Sequence, residues 1–152
     1  NKFHLNFNHP CKELIWYSTL QDSVQNNDWM NFGRYQSELN IYNSANKNDI
    51  LQMITLYLNG HERLSTRSSD YYKLVHCNQY HSGFPRNNIY SFPFALFPEK
   101  LQPSGTLNFS ELDDVFFTFT TNTKESHTTN MYAINYNILI ITQGMGGLAF
   151  SN

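Results

Sequence analysis

The chain has 152 residues, with 10 Lys and Arg against 12 Asp and Glu, a formal net charge of -2. That length suits one domain with one core burying roughly two thirds of its unfolded surface. The charge balance, with no basic block, argues against non-specific binding of nucleic acid or an anionic membrane. Charged residues make up only 14% while aromatics reach 16%, with 12 Phe and 10 Tyr, a balance that favours strands, turns and broad contact surfaces. Cys11 and Cys77 are too few for a disulfide scaffold and suit a reducing compartment, although one bridge stays open. No apolar run reaches the ~18 to 20 residues of a membrane-spanning helix. The chain starts at Asn1 in strand-like alternation, without an initiator Met or signal-peptide pattern, and is read as a fragment of a longer protein.

Phe3, Leu5 and Phe7 alternate with His4, Asn6 and Asn8, the mark of a strand with one buried face, which Pro10 is expected to break. Leu14, Ile15, Trp16 and Tyr17 suit a strand covered on both faces. From Gln21 to Asn48 the composition turns to Asn, Ser, Asp and Gln, and a long loop with at most a turn of helix is expected. Ile54, Leu56 and Leu58 mark one face of a strand that runs into the Asn59-Gly60 turn. Ser65 to Asp70 is polar, and Tyr71 to Val75 reads as a further strand.

Asn87-Asn88 signals a turn before a strand candidate over Ile89 to Leu96, in which Pro93 requires a bulge, an edge or a later start. Gln102-Pro103-Ser104-Gly105 is a turn. After it Leu107 and Phe109 alternate, then Val115, Phe117 and Phe119 oppose Phe116, Thr118 and Thr120. Thr120 to Asn130 reads as a loop. Tyr132 to Ile141 reads as the most regular strand, burying Ile134, Ile138 and Ile140 for ~1.5 to 3 kcal/mol each, and Gly144, Gly146 and Gly147 as a flexible exit. Six or seven short strands without a convincing amphipathic helix point to an all-β antiparallel sandwich.

Chemistry candidates have bland readings beside them. His76, Cys77 and His81, joined by His9 and Cys11, could ligate a metal, but the spacing matches no strong zinc pattern and a buried thiol beside a hydrogen-bonded imidazole is favoured. Asp113 and Asp114 near Glu111 would point to opposite faces of a strand, which favours a solvated strand end or turn. Gly144 to Gly147 lacks the Lys-Ser/Thr and the helix of a phosphate loop. Asn108-Phe109-Ser110 is formally a glycosylation sequon in a strand-like run. Trp29, Phe32, Tyr35, Tyr42, Tyr71 and Tyr72 could line a carbohydrate site or anchor a protein interface.

Five separated islands carry a resemblance. Asn8-His9-Pro10-Cys11-Lys12-Glu13-Leu14-Ile15-Trp16, Leu58-Asn59-Gly60-His61-Glu62-Arg63, Gln79-Tyr80-His81, Gln102-Pro103-Ser104-Gly105 with Asn108-Phe109-Ser110, and Tyr136-Asn137 with Gly144 to Ser151 resemble, in order, segments of the major capsid proteins of nucleocytoplasmic large DNA viruses. The chain departs from the family at Ser110-Glu111-Leu112-Asp113-Asp114, where Ser-Arg-Ile-Asp-Asn is common. The resemblance implies a double jelly-roll protein. Residues 1–152 would be the C-terminal portion of its second jelly roll, with a loop insertion at about 21–49 and with the upstream jelly roll and opening strands absent.

It further implies a structural protein that forms a homotrimer, contacts neighbouring capsomers and minor capsid proteins, and tiles an icosahedral shell in the virion after assembly in the host cell. Neither direct nucleic-acid contact nor a membrane-spanning segment is expected, and no residue is assigned a catalytic, cofactor-binding or metal role. Loss of the missing strands would leave Leu107 to Thr121 and Tyr132 to Ile141 unpaired on one side, so the chain alone should aggregate or pair through its last strand. A jelly-roll carbohydrate-binding module is the alternative, and a cupin-like enzyme lacks the facing His and Glu set it needs.

Overall fold

The structure, a computed structural model, describes residues 2–34, 49–85 and 87–150. One antiparallel sheet runs in the order β1 (Lys2–His4), β7 (Val115–Thr121), β3 (Leu51–Leu58), β4 (His61–Ser68). The other centres on β2 (Pro10–Leu20), with β5 (Ile89–Pro93) and the short β6 (Leu107–Asn108) along one edge and β8 (His127–Asn135) along the other. Pro10 opens β2 rather than breaking a strand, a position where its missing N–H costs little.

The inner faces follow the alternation seen in the sequence. Ile54 pairs with Phe119, Leu56 with Phe117 and Leu58 with Val115. A bulge between Cys11 and Glu13 shifts the phase of β2, so Cys11 joins Leu14 and Trp16 in the core although its parity is opposite. Trp16 sits between the sheets, with ring centroids 5.2 Å from Phe117, 5.4 Å from Tyr72 and 5.9 Å from Tyr90.

The expected strand at Tyr71 to Val75 is instead helical. Tyr71–Val75 is one wide turn of π-helix that continues into α2 (His76–Tyr80). Ser69, Tyr72, Lys73, His76 and Cys77 are all buried, at positions i, i+3, i+4, i+7 and i+8, the spacing of a helix face. Because three of those five residues, Ser69, Lys73 and His76, are polar, a search for apolar runs misses it. The Tyr72 hydroxyl donates to the Ile54 carbonyl at 3.2 Å, beside a register shift between β3 and β4. The polar run that begins at Ser65 lies for its first four residues in the edge strand β4 (His61–Ser68), where Glu62, Arg63 and Arg67 discourage further pairing.

Pro93 ends the strand on a sheet edge. Phe109 leaves the expected alternation: Asn108 Oδ1 accepts from the Ser110 N–H and starts a 3-10 turn that buries Phe109. β7 and β8 extend into the expected loop, leaving 122–126 between them. The expected strand from Tyr132 to Ile141 breaks after Asn135. β9 (Leu139–Thr142) and β10 (Met145–Leu148) then form a separate hairpin, turned at Gln143 and Gly144 with φ of 52° and 82°. Ile134, Ile138 and Ile140 are therefore not core residues; they are 37%, 56% and 51% exposed.

β7 has neighbours on both sides, which corrects the expectation that it lies open, whereas β8 pairs only with β2 among the described residues. Of the long polar stretch, the described part holds α1 (Gln21–Gln25) and a bridge from Gly33 to Asp49; Tyr35, Leu39 and Tyr42 lie outside the described residues.

The contrast between core and hairpin gives a direct prediction. In urea denaturation Trp16→Ala should lose about 3–5 kcal/mol, while Ile140→Ala should stay within about 0.5 kcal/mol.

Candidate functional site

The sequence islands, far apart along the chain, meet in space as polar knots. At the first, the His9 corner, the His9 carbonyl accepts from Phe109 N–H at 3.2 Å and the His9 N–H donates to Ser110 Oγ at 3.0 Å. The Pro10 carbonyl accepts from Tyr136 N–H at 2.8 Å, and the Asn8 carbonyl from Asn135 Nδ2 at 2.8 Å. Asn137 then clamps the base of the hairpin: its Nδ2 donates to the Phe150 carbonyl at 2.9 Å and its Oδ1 accepts from Phe150 N–H at 3.2 Å. The Phe150 ring stacks on His9, 5.7 Å between centroids.

Asn59 makes the second knot. It takes φ of 48° in the turn, and its Oδ1 accepts from the backbone N–H of Asp113 at 2.9 Å and of Asp114 at 3.2 Å. The two aspartates thus belong to a turn before β7, and Asp114 faces His4 Nδ1 at 3.2 Å rather than a second carboxylate.

The third knot collects most of the metal candidates. His81 Nε2 lies 2.6 Å from Glu13 Oε1 and its Nδ1 3.4 Å from Glu99 Oε1. Ser91 Oγ is 3.4 Å from the same Nε2, His76 Nδ1 is 3.0 Å from the Ser91 carbonyl, and Cys77 Sγ is 3.9 Å from Ser91 Oγ. Ser91, His81 and Glu99 stand in the order of a nucleophile, a base and an orienting carboxylate. However, Glu13 holds the nitrogen that would serve the serine at the shorter distance, and Ser91 is buried. Cys11 is bonded to the Glu13 carbonyl at 3.1 Å, and His9 belongs to the first knot. Among the described residues no three His, Cys, Asp or Glu side chains group as a metal site.

Burial pushes the Cys11 thiol up to about 12 and raises Cys77 as well; both are free. Burial also raises Glu13, against the pull of His81. A fourth polar group was not anticipated from sequence. Lys73 Nζ lies 3.0 Å from both oxygens of Asp49, which also accepts from Ser69 Oγ at 2.9 Å, and 3.1 Å from Asn88 Oδ1. Both Asp49 and Lys73 are buried.

The aromatic candidates divide. Tyr72 is core and Phe32 is buried against Tyr17, 4.3 Å between centroids, whereas Trp29 is 59% exposed. The main exposed apolar feature is the hairpin: Leu139, Ile141, Met145 and Leu148 are all more than half exposed, on both sides of a two-stranded ribbon. Such a ribbon is marginal alone. A role in contact with another surface follows more readily from it than any chemistry at the knots.

A family model described as "Large eukaryotic DNA virus major capsid protein" matches residues 1–147. The chain belongs to that capsid family. The major capsid protein of Pyramimonas orientalis virus is 35% identical over 178 residues, covering 100% of this chain and 39% of its own length. That of Paramecium bursaria Chlorella virus 1 is 32% identical, covering 97% of the chain and 42% of its own length. In the quasi-atomic model of the PBCV-1 virus capsid a chain superposes on all of this one with a TM-score of 0.78 at 30% identity, using 46% of its length. The Faustovirus major capsid protein shares the fold alone, at a TM-score of 0.67 and 12% identity. This capsid-family chain thus spans about two fifths of the length of the two relatives compared.

Two outcomes are expected at these sites. With Lys73→Met, Asp49 stays buried without its cation, and urea denaturation should show a loss of about 3–5 kcal/mol, more than for the double variant Asp49→Leu/Lys73→Met. Since a raised thiol pKa keeps sulfur protonated at pH 8, iodoacetamide should spare Cys11 and Cys77 in the native chain and label both in guanidinium, as read by mass spectrometry.

Proposed function

We propose that the chain is the C-terminal, second jelly-roll part of a capsid subunit whose mechanism is geometry and contact. The subunit forms a homotrimer, and trimers meet neighbouring capsomers and minor capsid proteins to tile an icosahedral shell in the virion, assembled in the host cell. The stretch at about 21–49 is an insertion that faces a neighbour or the outer surface. The observation that carries this reading is the superposition of the whole chain on a capsid chain. The exposed hairpin, fixed at its base by Asn137, supplies the apolar surface that assembly requires.

The carbohydrate alternative has less behind it. Trp16, Phe32 and Tyr72 are buried, which leaves Trp29 as the exposed tryptophan.

Light scattering on the full-length parent protein should give the mass of a trimer. Burying a Leu or Ile side chain contributes ~1.5 to 3 kcal/mol, so Leu139→Asp/Ile141→Asp should weaken association by about a hundredfold or more while circular dichroism stays that of the folded sandwich. A full-length protein that remains monomeric, or a double variant that assembles normally, overturns the reading.

A further inference from the structure

Asn59 and Gly60 form the only Asn-Gly pair in the sequence. They are the two central residues of the hairpin that joins β3 to β4, in which Leu58 pairs with His61. Both are exposed and both take positive φ, 48° and 77°, as a type I′ turn requires. A Cβ added at Gly60 would meet nothing within 4 Å, so solvent reaches this peptide.

Such a pair carries a reaction of its own. Once the Gly60 N–H has given its proton to hydroxide, the nitrogen can bond to Asn59 Cγ; the Cγ–Nδ2 bond breaks and Nδ2 leaves as ammonia. Glycine leaves that nitrogen unobstructed. Water then opens the cyclic imide at one of its two carbonyls. Cleavage between Cγ and the Gly60 nitrogen gives aspartate, and cleavage at the original peptide carbonyl gives isoaspartate. In sum an amide and water become a carboxylic acid and ammonia, with nothing oxidised or reduced.

The fold opposes the first step. Attack needs Cγ and the Gly60 nitrogen on the same side of the Asn59 Cα–C bond, whereas the left-handed conformation of a type I′ turn holds them nearly opposite. Turning that bond takes His61 away from Leu58. Asn59 is also pinned to the turn before β7: its N–H donates to the Asp114 carbonyl at 2.7 Å, and its Oδ1 accepts from the N–H of Asp113 at 2.9 Å and of Asp114 at 3.2 Å.

We propose that Asn59-Gly60 is a deamidation site gated by the fold, shielded while the hairpin and its contact with 113–114 are closed and reactive when they open. The products have different fates. Aspartate keeps the length of the backbone and offers an oxygen where the Asp113 and Asp114 N–H groups point. Isoaspartate routes the chain through the former side chain, adding a carbon to the backbone of a two-residue turn. Its turn cannot close as before, so a chain that has opened and taken this route stays marked.

The gate is tested by ageing the whole chain at mildly alkaline pH beside a synthetic peptide of residues 56–63 in the same buffer. Peptide mapping by mass spectrometry, with the two product isomers separated by chromatography, follows residue 59. Conversion should be about tenfold or more slower in the folded chain, the protection that a modest local opening free energy provides. In the aged chain, a brief protease pulse should remove isoaspartate preferentially and spare aspartate. Equal rates in chain and peptide overturn the gate. So does a faster reaction in the chain, which would mean that the two donors on Oδ1 stabilise the attack. Isoaspartate that survives the pulse as well as aspartate overturns the difference in fates.

Discussion

The structure depends on the contact of Trp16 with Phe117 across the two sheets. A sandwich exists only if each sheet turns an apolar face to the other, and here a single indole from the central strand β2 spans that gap. Tyr90 stacks on it from its own sheet, and Tyr72 meets it from the helix that closes the side of the sandwich. Because these rings are large and rigid, each fixes the others, and the helix owes its place to this packing more than to its own propensity. Three of its five π-turn residues, Tyr71, Tyr72 and Val75, are aromatic or β-branched, poor reasons for a helix by themselves.

Around that core the polar residues hold the corners. His9, Asn59, Asn137 and His81 each tie together segments distant in sequence through backbone or carboxylate groups. Their pattern could be mistaken for chemistry, since asparagines, histidines and acids in short motifs also mark active sites. What separates the two cases is occupancy. At these corners Asn59 Oδ1, both amide groups of Asn137 and Nε2 of His81 are engaged with protein partners at short distance, so these motifs hold the shape of the chain.

The surface outside the knots has a different character. β4 guards its open edge with Glu62, Arg63 and Arg67, while β8 and the hairpin after it carry no charged side chain from Thr128 to Ser151. A protein that had only to stay apart from its neighbours would protect both ends alike. One edge of the sandwich is guarded by charge, and the other end is apolar.

Sequence alone determined the all-β sandwich, the inner faces of β3 and β7, the Asn59-Gly60 turn and the capsid resemblance, because each rests on local periodicity, turn chemistry or contiguous motifs. Tertiary structure decided what depends on residues far apart. The 69–80 helix was hidden because most of its buried face is polar and is satisfied by Asp49, Ile54 and Ser91 from other elements. The exposure of Ile138 and Ile140 was hidden because alternation shows that two faces differ, not that either has a partner. Only the break at Asn137, where Phe150 supplies the matching backbone groups, turns the apparent last strand away from the core.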